Sequence, residues 1–316
     1  MHLKDTVQFE EIRCKTALNP VKAPSMPFDW SINPYRGCQH GCSFCYARST
    51  HTFLGRNADD TFQKHIFLKK NAPEMLETQL SKMSKSRKGL TVGPIAIGTA
   101  TDPYQPAEAR NRLTRQCLEI LVRYPVPLTI TTRSPLILRD LDLLKQIPDI
   151  TVNISINTLN LSVWRNMEPF SPSPVKRLET VKRLNREGIR AGIFLAPILP
   201  YLTDNLQEIA ELIGRASRCK AKFVMPSILR LSTQEVRSWF FLTLQRHYPR
   251  LTGKFGFLYR SSTYPHADYS RPLMEAIEGI LARHDLAGKE PLSDRTVTKE
   301  APGSKDNGPI QLSFSF

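Results

Sequence analysis

Residues 33–48 read Asn-Pro-Tyr-Arg-Gly-Cys-Gln-His-Gly-Cys-Ser-Phe-Cys-Tyr-Ala-Arg, and this stretch holds three of the chain's six cysteines, Cys38, Cys42 and Cys45. Spaced C-x3-C-x2-C on a loop flexed by Gly37 and Gly41, three thiolates can converge on one soft metal centre. Two kinds of centre suit that donor set. A structural zinc site needs a fourth ligand, for which His40 and His51 are the nearby candidates, although neither gives a common finger spacing. An iron–sulfur cluster is the other, and three protein thiolates leave one of its irons open. Cys14, Cys117 and Cys219 are solitary and read as small buried hydrophobes.

Working outward, short apolar runs at 28–35, 65–69, 94–98, 127–132, 150–156, 189–195 and 221–226 alternate with amphipathic runs. Continuously apolar strands are those of a parallel sheet covered on both faces. Residues 110–124 place Leu113, Cys117, Ile120, Leu121 and Tyr124 on one helical face, and 174–187 do the same with Leu178, Val181 and Leu184. Ser134-Pro135 and Ser173-Pro174 are helix starts, Asp204 is placed to cap a third helix, and Gly188 follows a helix end. Repeated βα units predict a barrel, a partial barrel or a doubly wound sheet, with the ligand site at the C-terminal ends of the strands.

The 316 residues suffice for a full core, and 41% hydrophobic with 23% charged residues excludes wholesale disorder. The net charge is +15 and the isoelectric point about 9.7, enough to attract a polyanion, and nucleic acid is the leading partner class. Residues 1–11 contain Asp5, Glu10 and Glu11 and no signal-like apolar run, no stretch approaches a membrane span, and a cytoplasmic location is expected. The cluster Lys82, Lys85, Arg87 and Lys88 suits a helix C-terminus or a phosphate contact. The organisation expected is an N-terminal extension at 1–27, a barrel at 28–231, a small helical cap at 232–286 and a disordered tail at 287–316.

The trio, with Phe44 just before its last cysteine, resembles the hallmark of the radical S-adenosylmethionine (radical SAM) superfamily. The segment Gly-Thr-Ala-Thr-Asp-Pro-Tyr-Gln-Pro-Ala-Glu at 98–108, Thr-Thr-Arg-Ser at 131–134 with Arg139-Asp140, Ile-Ser-Ile at 154–156 with Glu168-Pro169, Arg177-Leu178, and Leu-Ala-Pro-Ile-Leu-Pro at 195–200 look like its spore photoproduct lyase-related branch. The resemblance covers about 33–227. It implies an α/β fold, a partial (β/α)6 TIM-type barrel with a small C-terminal helical extension. It also implies a 4Fe-4S cluster on Cys38, Cys42 and Cys45 whose fourth iron binds S-adenosyl-L-methionine, and an electron donor such as flavodoxin or ferredoxin.

By the same resemblance Thr101 and Asp102 approach the amino end of that cofactor, Arg133 its carboxylate, and Ser155 its ribose or carboxylate, while Tyr46 matches a tyrosine of a radical relay. Asp102 and Ser155 also have plain readings, as a turn cap and a small core residue. One departure bears on the reaction: where the lyase carries a hydrogen-donor cysteine, this chain reads Thr99-Ala100-Thr101, without a thiol. The expected function is hydrogen abstraction from nucleic acid, DNA over RNA, in a repair-like reaction whose type, lyase or transferase, is open. The alternatives are a radical SAM enzyme acting on RNA or a peptide, and a zinc-stabilised nucleic-acid-binding protein without catalysis. Residues 311–316, Gln-Leu-Ser-Phe-Ser-Phe, resemble peptides that dock on the bacterial sliding clamp, with Gln311, Leu312, Phe314 and Phe316 as contacts.

Overall fold

A computed structural model describes residues 7–23, 25–55, 57–85 and 92–286. Its strands are β1 (Gln8–Ile12), β2 (Leu18–Pro20), β3 (Trp30–Ile32), β4 (Tyr35–Arg36), β5 (His65–Lys69), β6 (Ile95–Ile97), β7 (Leu128–Thr132), β8 (Ile150–Ser155), β9 (Arg190–Ile198) and β10 (Val224–Ile228). Seven form one sheet in the order β10-β9-β8-β7-β6-β3-β2, and β3, β6, β7, β8, β9 and β10 run parallel as an open, partial barrel. β2 adds an antiparallel edge beside β3. Residues 311–316 and Arg87 and Lys88 lie outside the described residues, as does the tail expected to be disordered.

The alternation of a strand explains the two faces of this sheet. Ile95, Ile97, Leu128, Ile130, Val152, Ile154, Ala191, Ile193 and Leu195 pack outward in the main core. Thr129, Thr131, Thr151, Asn153 and Ser155 alternate with them, so the concave face is polar although the sequence reads as apolar runs. The helix Pro174–Arg186 is capped by Ser173, whose side chain accepts from the Lys176 amide, as the Ser-Pro signal predicts.

Four expectations are corrected. The run 28–35 is two strands, because Pro34 cannot extend the ladder and the Asn33 side chain bonds the Ala100 amide (2.8 Å) and Thr99 Oγ1 (2.9 Å), turning the chain into β4. β5 leaves the barrel for a separate sheet, order β1-β5-β4. The run 110–124 divides into Glu108–Asn111 and Leu113–Leu121 at Arg112, whose φ is 53°. There the buried Glu108 carboxylate accepts from the Thr114 (3.0 Å) and Arg115 (3.2 Å) amides, capping the second piece. Asn205, not Asp204, caps the helix Leu206–Arg218, since Asp204 is committed to the Tyr201 amide and the Tyr269 hydroxyl.

The C-terminal helices part company. Gln234–His247 and Thr252–Leu258 pack Phe240, Leu244 and Phe255 in a second core that includes Cys42 and Phe44. Ala267–Arg283 lies instead against Leu206–Arg218 and β10, with Ile277, Ile280 and Leu281 in the main core.

Gly98, at φ 93°, turns the chain out of β6, and a Cβ there meets the Thr131 carbonyl oxygen at 2.4 Å. Gly98→Ala is expected to cost about 2 kcal/mol or more, seen as a Tm fall of about 4 °C or more in a thermal melt.

Candidate active site

The cysteine loop follows β4, at the C-terminal end of the barrel strands. Cys38 and Cys42 are buried and Cys45 is partly so. Burial raises the Cys38 thiol, and Asp102, Cys42 and Cys45 raise it further; burial pushes Cys42 up to about 12. Thiols this reluctant to ionise become thiolates only when a cation takes the proton's place. Among the described residues no three His, Cys, Asp or Glu side chains close on a single-ion site. An iron–sulfur cluster places each thiolate on a different iron and so asks for a wider spread than one ion does.

Both histidines weighed as zinc ligands are engaged elsewhere. His40 Nε2 is 3.2 Å from Asp102 Oδ2. His51 packs edge-on against Phe62 and Phe67, its Nε2 lies 3.2 Å from the His65 carbonyl, and burial pulls its pKa down to about 4.

Beside the apolar packing of Cys38, Cys42 and Phe44, polar contacts hold the loop. Thr101 Oγ1 (2.6 Å) and Gln105 Nε2 (3.1 Å) both donate to the Gly37 carbonyl. The Gln39 amide donates to Gln105 Oε1 (3.0 Å), and the Gln39 side chain accepts from the Ala107 amide (2.6 Å). Gly37, at φ 80°, has room for no Cβ, which falls 2.7 Å from the His65 carbonyl.

Arg48, fully buried, closes the other side. It donates from Nε to the Cys42 carbonyl (3.1 Å) and from Nη2 to the Gly41 carbonyl (3.2 Å) and Gln63 Oε1 (2.6 Å), with its guanidinium 4.6 Å from the Trp239 ring. Burial pulls it down to about 10, while Cys45, Cys42 and Cys38 favour its charge. Sequence reasoning gave Arg48 no role, although its place three residues after Cys45 was a visible signal.

Asp102 accepts from Thr132 Oγ1 (2.6 Å) and from the Arg133 (2.7 Å) and Tyr104 (2.9 Å) amides. Burial penalises its charge, but His40, Thr132 and the Arg133 amide hold its carboxyl down to about 2. Thr101 and Asp102 thus brace the loop, the turn-cap reading among their roles. Arg133 lies over the Phe44 ring (5.8 Å), with Nε 3.4 Å from Glu168 Oε2. Glu168 is wholly buried and accepts from Arg177 Nη2 (2.5 Å) and Ser171 Oγ (3.0 Å). Burial would raise its carboxyl, yet Arg177 and Arg133 keep it below the usual range.

Ser155 is buried on β8, and its carbonyl accepts from Arg177 Nη1 (2.9 Å). Phe44 is buried with Cys42, Met167 and Leu199. Tyr46 is exposed and donates to the Thr99 carbonyl. Glu168 and Arg177 were visible only as parts of the resemblance, with no role attached.

Deeper in the concave face, Ser31 Oγ, Asn153 Oδ1 and Asn157 Nδ2 are buried without a hydrogen-bond partner. Such atoms are costly unless a ligand satisfies them. A polar molecule lying beside the cysteine loop therefore suits this lining.

Glu168→Gln leaves two arginines facing one another without their shared counter-charge. The variant is expected to lose about 3–5 kcal/mol in urea denaturation of the anaerobically reconstituted protein.

A family model described as the radical SAM superfamily matches residues 32–213. An uncharacterized protein of Mycobacterium tuberculosis (strain ATCC 25618 / H37Rv) is 34% identical over 289 residues, covering 90% of this chain and 83% of that one. A protein of Pseudomonas phage M6 named radical SAM Nalpha-GlyT isomerase is 29% identical over 181 residues, 56% of this chain and 35% of its own. Among solved structures, a mutant spore photoproduct lyase with bound AdoMet and dinucleoside spore photoproduct superposes with a TM-score of 0.65 at 12% identity, over 87% of this chain and 79% of that one. At that identity the likeness is one of fold. The chain belongs to the radical SAM superfamily, whose enzymes use a four-iron four-sulfur cluster and S-adenosylmethionine.

Proposed function

We propose that this radical SAM enzyme acts on nucleic acid, on DNA in preference to RNA. The observation that carries the reading is a pair of exposed rings at the cysteine loop of a strongly basic chain. Phe170 is 62% exposed with its amide on the His40 carbonyl, Tyr46 is 44% exposed, and the net charge is +15. A base lifted from a strand needs an aromatic face, and the strand's phosphates need a positive field. The dinucleoside photoproduct named with the lyase structure of similar fold supports a nucleoside substrate.

In this reading Cys38, Cys42 and Cys45 hold the cluster, and Phe44 walls it. Thr101, Asp102, Arg133 and Ser155 border S-adenosylmethionine, Arg133 toward its carboxylate, and Tyr46 stands on the substrate side. A cluster and S-adenosylmethionine held there, given an electron from a flavodoxin- or ferredoxin-type donor, would supply radical abstraction of a hydrogen atom from the substrate. The protein's part is to orient the reactants and exclude water.

No thiol of this chain stands ready to return hydrogen. The second-strand loop reads Thr99-Ala100-Thr101, Cys117 is in the main core, and Cys14 and Cys219 pack against it. A hydroxyl O–H bond is too strong to replace S–H. The reading is therefore not lesion reversal ended by a protein thiol: an isomerisation would take its hydrogen back from 5′-deoxyadenosine, and any other modification of a nucleobase would leave 5′-deoxyadenosine as a product.

Anaerobically reconstituted protein with dithionite and S-adenosylmethionine is expected to form 5′-deoxyadenosine, faster with DNA than with tRNA or a basic-protein-binding peptide, by mass spectrometry. Cys42→Ala is expected to form none and to bind less iron. Equal rates with and without every nucleic acid would overturn the substrate class, and faster product with tRNA or peptide would move it there.

A further inference from the structure

Residues 246–266, from the last turn of the helix Gln234–His247 to the start of Ala267–Arg283, contain Arg246, Arg250, Lys254 and Arg260 and no Asp or Glu. All four of these side chains are exposed. Interleaved with them are aromatic residues, and the structure divides these into anchors and presented rings.

The anchors are buried. Phe255 and Leu258 lie in the second core, and the Tyr259 hydroxyl donates to the Leu229 carbonyl at 2.9 Å. The Leu231 amide donates to the Thr263 carbonyl at 2.9 Å. The connector is thus fastened to the loop that leaves β10.

The presented rings are Phe257 (67% exposed), Tyr264 (49%) and, from the loop after β9, Tyr201 (39%). Each has a cation beside it. Arg260 lies 4.2 Å from the Phe257 ring centroid, Arg230 5.4 Å from Tyr264, and Lys254 5.5 Å from Tyr201. One exposed ring is ordinary on a protein surface; here three stand on a fastened scaffold, each with a cation against it. The placement is also specific. Leu229 and Tyr201 follow β10 and β9 at the end of the barrel that carries the cysteine loop. Tyr248, at the start of the connector, accepts through its hydroxyl from Asn166 Nδ2 (3.0 Å), two residues before Glu168.

We propose that this surface is a track for a single strand of nucleic acid at the rim of the active site. Bases stack on Phe257, Tyr264 and Tyr201 while Arg260, Arg230, Lys254 and their basic neighbours meet the phosphates. Rings paired with cations and set along a basic path are the chemistry of single-strand binding, and a duplex keeps its base faces covered. The proposal rests on the nucleic-acid reading above and adds to it the strandedness of the substrate and the surface that receives it.

The test is fluorescence anisotropy on full-length, anaerobically reconstituted protein with a labelled single-stranded DNA, the same sequence as duplex, and polyglutamate of matched charge. The single strand is expected to bind about tenfold or more tightly than the duplex. The double variant Phe257→Ala with Tyr264→Ala is expected to lose about tenfold or more in single-strand affinity, with the salt dependence unchanged. Lys254→Gln with Arg260→Gln is expected to flatten the slope of log affinity against log salt by about 0.7 per contact removed. Neither pair should change 5′-deoxyadenosine formation in the absence of nucleic acid.

Wild-type binding of the single strand that neither pair of substitutions weakens would overturn the track and leave the nucleic-acid reading standing. Equal affinity for duplex or polyglutamate, insensitive to the rings, would also overturn it, leaving a basic face alone. If no nucleic acid binds and none accelerates cofactor cleavage, the track falls together with the reading beneath it.

Discussion

The carbonyl oxygen of Gly37 is the fixed point of the active site. It accepts from Thr101 and Gln105, both on the loop leaving β6, and so ties the start of the cysteine loop to the barrel. A loop that must keep three thiols near one another cannot do so by apolar burial alone, because its backbone groups need partners wherever water is excluded. Here the partners come from side chains: Thr101 and Gln105 on one side, Arg48 on the other. Gly37 makes the arrangement sterically feasible, since any side chain there would strike the His65 carbonyl.

From that point the polar contacts spread in two directions. Asp102 carries the bracing to β7 through Thr132 and the Arg133 amide. Glu168 then joins Arg133 to Arg177, and Arg177 reaches the end of β8 through the Ser155 carbonyl. Buried charge is costly, and these groups are tolerable because each faces an opposite charge or several dipoles. The outcome is two cations, Arg48 and Arg133, close to the cysteines. An iron–sulfur cluster with three thiolates is anionic overall, and such cations offset its charge.

The same division of labour runs through the barrel. Its outward positions are Ile, Leu, Val and Ala, and they supply the core under the helices. Its inward positions on β7 and β8 are Thr, Asn and Ser, and Ser31, Asn153 and Asn157 each have a buried side-chain atom without a protein partner. The C-terminal segment extends that logic beyond the barrel, burying Phe240 and Phe255 against the cysteine loop while leaving Phe257 and Tyr264 in water.

What could be read in the chain directly was whatever depends on neighbours in sequence. C-x3-C-x2-C brings three thiols together on one loop because the loop is short, and alternating apolar runs and helical periods announce parallel βα units. The Ser173 cap was legible for the same reason. What went unread depends on crossings between distant segments. The bend at Asn33-Pro34 exists because Asn33 meets Thr99 and Ala100, and the break at Arg112 exists because Glu108 turns back on the next helix. The partnership of Glu168 with Arg133 and Arg177 joins the loop after β7 to two separate points of the segment between β8 and β9. Sequence by itself determined the donor set and the class of fold, since both are written in local spacing. Tertiary structure alone decided which charges face one another and which rings stay exposed, since a buried carboxylate takes whatever cation the packing brings within hydrogen-bond reach.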